Sequence, residues 1–233
     1  MGIKIDGRDV RVKKGTNVLE ACLQNETDVS YFCYHPGLTS PAVCRQCLVE
    51  VVGQPKLVPS CYTPVADKME VVTNSPRVLL ARQQMLEFTL VNHPVDCPIC
   101  DKAGECKLQD YYAEHQHAKK RKLTEPVHKP KGVRFGETIV YDAERCVMCT
   151  RCIRFIGEVA GVEELGAVHR GEHMEISTWV EKALTMCTGG ASPSAERRSV
   201  LPSTASTPSS APTIPPTQRR NTVSNCFGSS TRN

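Results

Sequence analysis

The chain has 233 residues, of which 40% are hydrophobic and only 5% aromatic, so small metal-nucleated modules fit it better than one large core. Its formal charge of +4 resides wholly in the last 46 residues, which hold five arginines and one acid. The rest of the chain is balanced and makes no electrostatic case for nucleic-acid binding.

The predicted elements open with a β-hairpin. Ile3 and Ile5 alternate with polar residues, Asp6-Gly7 supplies the turn, and Val10 and Val12 alternate again. Asn17 followed by Glu20 reads as a helix start, with Val18, Leu19, Cys22 and Leu23 on one face. Cys22 is therefore assigned to the core. A Gly/Pro-punctuated loop spans 31–47, followed by strands at Leu48–Val52, Leu57-Val58 and Met69–Val72. This order is compatible with a β-grasp domain. Ser75-Pro76 starts a helix whose apolar face carries Val78, Leu79, Arg82, Met85, Leu86 and Leu90, and which ends before His93-Pro94. A second helix is expected from about Glu105 to Lys119, with Lys119-Lys120-Arg121-Lys122 as its solvated end. Residues 120–137 read as a basic connector, Thr138–Tyr141 as a strand, and Arg151–Ala160 as a helix ended by Gly161. From Thr188 onward, 23 of 46 residues are Ser, Thr or Pro, and periodicity vanishes, so 188–233 is expected to be disordered.

The chemistry lies in the 13 cysteines. No apolar run reaches the roughly 20 residues of a spanning helix, and no signal-peptide pattern opens the chain. A cytosolic setting is expected, where thiols stay reduced and tight Cys-x2-Cys pairs bind metal. One group is Cys33-x10-Cys44-x2-Cys47-x13-Cys61, a wide-loop relative of the plant-type [2Fe–2S] spacing. Four thiolates would equally serve zinc. A second group is His93-x3-Cys97-x2-Cys100-x5-Cys106, whose imidazole and three thiolates suit either zinc or an iron–sulfur cluster. The third is Cys146-x2-Cys149-x2-Cys152, the short triple spacing characteristic of [4Fe–4S] binding. No Cys-Pro follows it to supply the usual remote ligand; only Cys187 and Cys226 come later.

Four stretches carry a family resemblance: Cys33–Leu38, Cys44–Val51, Asn92–Asp110 and Arg145–Phe155. Through them, residues 1 to about 186 resemble the N-terminal part of the G subunit of NADH-quinone oxidoreductase, the 75-kDa-type subunit of respiratory complex I. The resemblance implies an α+β architecture. Its parts are an N-terminal β-grasp [2Fe–2S] ferredoxin domain (1–76), a small helical [4Fe–4S] module with one histidine and three cysteine ligands (77–118), an incomplete ferredoxin-type [4Fe–4S] module (137–187) and the tail (188–233). It implies one [2Fe–2S] cluster on Cys33, Cys44, Cys47 and Cys61, and one [4Fe–4S] cluster on His93, Cys97, Cys100 and Cys106. It implies a second [4Fe–4S] cluster on Cys146, Cys149 and Cys152. The family's fourth ligand to that cluster has no counterpart here, which leaves a [3Fe–4S] cluster or Cys187 as the substitute. The function implied is electron relay from the flavin-bearing NADH-oxidising subunit toward quinone, with no catalytic residue of the chain's own. The partners implied are other complex I subunits, with no nucleic acid and no direct membrane span. The location implied is cytoplasmic, on the inner face of the cell membrane.

The similarity is expected to stop near Glu181–Thr185, and the tail is read as the product of a shifted reading frame. The molybdopterin-oxidoreductase-like region of the family has no counterpart. Similar modules also occur in the diaphorase subunit of NAD-reducing hydrogenases and in NAD-dependent formate dehydrogenases. A zinc-stabilised structural module and a non-functional fragment are the readings of another class.

Overall fold

A computed structural model describes residues 1–115, 125–178 and 184. The Lys119–Lys122 run, Cys187, Cys226 and the tail 188–233 lie outside the described residues.

The opening hairpin forms as its pattern dictates. Strands β1 (Gly2–Ile5) and β2 (Arg8–Arg11) pair antiparallel, with Ile3 opposite Val10 on the buried face. Their connection puts Asp6 at φ 48° and Gly7 at φ 82°. Successive left-handed residues twist a two-residue turn in the same sense as the strands it joins. The Asp6 carboxylate then accepts hydrogen bonds from the Thr73 backbone N–H (2.7 Å) and Oγ1 (2.6 Å), tying the turn to the end of the strand that runs beside β1.

Helix α1 (Val18–Gln24) starts where Asn17 accepts the Glu20 N–H at 2.8 Å and donates through its amide to Glu20 Oε1 at 2.9 Å. Val18, Leu19, Ala21 and Cys22 are buried beneath the sheet. Leu23, expected on that face, is exposed, and Ala21 takes its place. Strands β3 (Leu48–Val51), β4 (Val58–Pro59) and β5 (Glu70–Val72) complete one sheet in the order β2-β1-β5-β3-β4. Only the β1–β5 pair is parallel.

Helix α2 (Pro76–Leu90) begins at Ser75, whose Oγ accepts the Val78 N–H and donates to Glu50 Oε2 at 2.7 Å. It buries Val78, Arg82 and Leu86, a stripe at i, i+4 and i+8 that is narrower than expected; Leu79 is exposed. Helix α3 (Lys107–His115) packs against α2. The expected start at Glu105 moves to Lys107, because 104–106 are used in the turn that carries Cys106.

The remainder is a second small α+β unit. Strands β6 (Val133–Arg134) and β7 (Val140–Tyr141) pair antiparallel. So the basic connector contains a strand, and the strand expected at Thr138–Tyr141 is shortened. Helix α4 (Arg151–Glu158) packs on an unanticipated hairpin of β8 (Leu165–Val168) and β9 (Glu175–Thr178). Phe135, Ile156, Leu165, Ile176 and Leu184 form its core. Among the described residues no helix is long and apolar enough to cross a membrane.

Candidate metal centres

The first cysteine group lies on the loop between α1 and β3 and on the turn after β4. Cys33, Cys47 and Cys61 are buried and Cys44 is half-buried. The four thiols are linked as a chain. Cys33 is hydrogen-bonded by Cys44 and Cys61, and Cys47 by Cys61. These bonds hold Cys33 far below the usual thiol range and bring Cys47 down to about 7 against the opposing effect of burial. Cys44 and Cys61, the donors, are driven up by the same bonds and then by desolvation.

The loop backbone is bent to serve these sulfurs. Ala42 and Arg45 adopt left-handed conformations at φ 52° and 54°. Non-glycine residues accept that cost, about 1–3 kcal/mol each, where surrounding structure requires the bend. N–H groups of the bent loop point inward, Val43 and Cys44 toward Cys33 Sγ and Gln46 toward Cys44, while the Cys61 N–H on the turn after β4 points toward Cys47. The Cys33 N–H reaches Cys44 Sγ at 3.5 Å. Behind the loop, Ser60 Oγ donates to the Cys47 carbonyl at 2.8 Å, and buried Arg82 donates to the Leu48 carbonyl at 3.2 and 3.3 Å.

This donor set fits a binuclear iron–sulfur core. Thiolates are soft anionic ligands, and N–H groups aimed at sulfur offset the charge that such a core concentrates. Among the described residues no three or more His, Cys, Asp or Glu side chains are arranged around a single metal ion.

The second group spans the turn between α2 and α3. The His93 backbone N–H donates to the Leu90 carbonyl at 3.2 Å, just past the end of α2, which seats the ring at the mouth of the turn. Burial lowers the His93 imidazole pKa below its ordinary value, which favours the neutral ring that can ligate. Cys97–Ile99 form a single 3-10 turn, and the Cys100 N–H bonds back to the Cys97 carbonyl at 3.3 Å. Gly104, at φ 87°, lets the chain double back so that Cys106 precedes α3. Cys97, Cys100 and Cys106 are half-buried.

The third group opens α4. Met148 and Thr150, the residues between its cysteines, are left-handed at φ 52° and 58°, which curls the segment inward. The Met148 N–H reaches Cys146 Sγ at 3.3 Å. Burial raises Cys146, and burial followed by the charges of Cys146 and Cys149 raises Cys152 to about 12. Leu184 closes this core, its N–H on the Phe135 carbonyl at 2.6 Å.

Cys22 stands apart from all three groups, fully buried in the sheet core, with desolvation pushing its thiol up to about 12. Spacing alone does not reveal what joins the groups. Phe32, Leu86, Leu108 and Tyr111 form a small core on which Cys44, Cys106 and Cys149 pack, one residue from each group. Asp96, next to Cys97, accepts from Arg145, next to Cys146, at 3.1 and 3.2 Å, and from Lys131 at 2.7 Å.

The fold and these loops define the class: an iron–sulfur protein with ferredoxin-like domains. Residues 1–76 match the 2Fe-2S iron-sulfur cluster binding domain, and residues 82–121 match the NADH-ubiquinone oxidoreductase-G iron-sulfur binding region. Residues 136–191 match the ferredoxin-like domain of NADH-quinone oxidoreductase subunit 3, a match that runs past the expected limit of similarity at 181–185. Over 182 of its residues the chain is homologous to part of the G subunit of NADH-quinone oxidoreductase. It is 44% identical over 182 residues to the G subunit of Rickettsia bellii (strain RML369-C), covering 78% of this chain and 27% of the relative. It is 46% identical over 182 residues to the NADH-ubiquinone oxidoreductase 75 kDa subunit of Reclinomonas americana, covering 78% and 26%. The mitochondrial NADH dehydrogenase [ubiquinone] iron-sulfur protein 1 of Solanum tuberosum is 44% identical over 181 residues, covering 78% and 24%. The chain thus spans about a quarter of the length of these curated relatives. Among solved structures, a chain in the crystal structure of an NAD+-reducing [NiFe]-hydrogenase in the H2-reduced state superposes with a TM-score of 0.68 at 25% identity, covering 76% of this chain and 74% of that one.

Proposed function

We propose that this chain is an iron–sulfur electron-transfer subunit of an NADH:quinone oxidoreductase, relaying electrons from a flavin-bearing, NADH-oxidising subunit toward quinone. The single observation that carries the relay is the shared core of Phe32, Leu86, Leu108 and Tyr111, against which one cysteine of each group packs. Three redox sites sharing one apolar wall are close neighbours by construction.

In this reading residues 1–76 form a β-grasp domain whose Cys33, Cys44, Cys47 and Cys61 hold a [2Fe–2S] cluster. Residues 77–118 hold a [4Fe–4S] cluster through His93, Cys97, Cys100 and Cys106. Residues 137–187 hold a second [4Fe–4S] cluster through Cys146, Cys149 and Cys152. Cys187 is the candidate fourth ligand there, supported by Leu184, three positions earlier in sequence, which is buried against the core that Cys146 and Cys152 line. The clusters supply one-electron chemistry. The chain supplies orientation, N–H donors to sulfur and exclusion of water. The other subunits of the complex are its partners, and the assembly sits peripherally on the inner face of the cell membrane.

A second reading, the diaphorase subunit of an NAD-reducing hydrogenase, draws on the fold likeness at 25% identity. The 42–46% identity to the G and 75 kDa subunits favours the first reading. The test is anaerobic purification. The expected product is brown, contains iron and acid-labile sulfide, bleaches with dithionite, and shows an EPR signal of reduced [2Fe–2S] that Cys61→Ala abolishes. A colourless, zinc-containing protein free of sulfide would remove the proposal.

A further inference from the structure

Helix α4 carries three side chains that reach the loop of the first group. Arg151 Nη2 donates to the Phe32 carbonyl, and Arg154 Nη1 donates to the Thr39 carbonyl. Glu158 accepts the Thr39 N–H at 2.8 Å and the Thr39 hydroxyl. Positions 151, 154 and 158 recur at i, i+3 and i+7, so one face of α4 lies along this loop. Arg154 does more than dock. Its Nη2 donates to the carbonyl of Cys33, in the first group, and to the carbonyl of Cys149, in the third, at 3.4 Å.

A planar guanidinium can hold two carbonyls in fixed relation where an ammonium acts as a point charge. It also keeps its proton under all ordinary conditions. One permanent positive charge therefore sits against the main chain of ligands in two different groups. Each electron arriving at either site adds negative charge near it, and a nearby cation favours that reduced state.

We propose that Arg154 is a shared positioning residue that fixes the first and third cysteine sites relative to one another and raises the reduction potential of both by more than that of the His93 site. This deepens the iron–sulfur reading and rests on it.

The experiment uses the full chain purified anaerobically, with Arg154→Gln, Arg154→Lys and Glu158→Gln variants. Two measurements are made: EPR-monitored redox titration and hydrogen–deuterium exchange. Arg154→Gln is expected to shift the reduction equilibria of the first and third sites downward by about tenfold each, about 59 mV for one electron. The His93-site signal should shift by less than either. Arg154→Lys is expected to recover most of that shift but not the magnetic interaction between the two reduced sites. Glu158→Gln, which removes an exposed and solvent-screened charge, should move both potentials by less than Arg154→Gln does. In exchange, Arg154→Gln is expected to speed the amides of 32–39 and 147–150 several-fold while those of 97–106 keep their wild-type rates. Unshifted potentials at both sites, equal shifts at all three, or unchanged exchange at 32–39 would each overturn the proposal. If wild-type chain holds no iron and no sulfide, the iron–sulfur reading itself fails, and only the exchange result then reports on the clamp. If the third site does not assemble, the first-site potential and the exchange rates still decide.

Discussion

Replacing Leu86 with alanine tests the claim that one small core joins the three groups. Leu86 has no exposed surface and packs with Phe32, Leu108 and Tyr111 where Cys44, Cys106 and Cys149 meet. Truncating a buried leucine removes transfer free energy and leaves a cavity, together about 2–5 kcal/mol. The site lies between rigid elements, α2, α3 and the 31–44 loop, so little collapse is available and about 3 kcal/mol is expected. For a chain of this size each kcal/mol lowers the midpoint by about 2–4 °C, so the loss should be about 6–12 °C. Iron loss makes unfolding irreversible, so midpoints should be compared at one scan rate, following visible absorbance anaerobically. The control is Leu80→Ala on the same helix. Leu80 is 54% exposed, and its truncation should change the midpoint by no more than about 1–2 °C. The distinctive expectation is that Leu86→Ala loses the EPR signals of all three sites in parallel. If one signal fails early and the other two keep wild-type midpoints, the sites do not share this core. If Leu86→Ala behaves like Leu80→Ala, the packing is not as described.

Asn17→Ala removes the cap of α1 and its bond to Glu20, and should cost about 1 kcal/mol without altering iron content; a loss of iron would refute its purely structural role. Cys22→Ala should retain every cluster signal and lose about 1 kcal/mol of stability, since that buried thiol stays neutral; missing iron would make it a ligand. Acid should loosen the link between the second and third groups. Hydrogen bonds from Lys131, then Arg145, hold the Asp96 carboxyl below its ordinary 3.8. A folded pKa below the unfolded one means the contribution is complete above about 3.8 and fades as pH falls through the folded value. Asp96→Asn should therefore flatten the acid limb of the stability curve in that window, measured as the pH dependence of the midpoint, and an unchanged limb would show that this pair contributes nothing there.

What is legible in the chain is local. The Asp6-Gly7 turn, the Asn17–Glu20 cap, the Ser75-Pro76 helix start and the tight Cys-x2-Cys turns each depend on neighbours a few residues apart. The turn, the cap and the helix start stand in the structure where their patterns place them. What is not legible is tertiary. Strand β6 has only two residues, too few to show alternation, and β8, Leu165-Gly166-Ala167-Val168, has no polar residue to alternate with its apolar ones; the unit folds because Leu165 and Ile176 meet Phe135 and Ile156. Leu79 faces solvent although it is apolar, and an apolar residue on a helix gives no sign of which stripe its neighbours will cover. Arg154 reaches Cys33 across a separation of 121 residues and Arg145 reaches Asp96 across 49, and no spacing rule spans such distances.

Those two arginines make the cysteine groups one mechanical unit. Helix α4 has only eight residues, too few to be stable alone in water, and the second α+β unit has a small core. Its order therefore depends on docking. Arg154 and Glu158 tie α4 to the first group's loop, and Arg145 ties the segment before it to the second group through Asp96. Both contacts originate within a few residues of Cys146, Cys149 and Cys152, so the third group is held from two sides by the loops that carry the other two. Each side of that hold can be released by itself. Arg154→Gln frees the first group's loop, and Asp96→Asn frees the second group's turn. Comparing Asp96→Asn with Arg154→Gln by hydrogen–deuterium exchange separates these cases. Asp96→Asn is expected to speed exchange in 93–106 and 145–150 and to leave 32–39 at its wild-type rate. Faster exchange at 32–39 in Asp96→Asn would refute the idea that Arg154 and Glu158 hold that loop independently of the Asp96 pair.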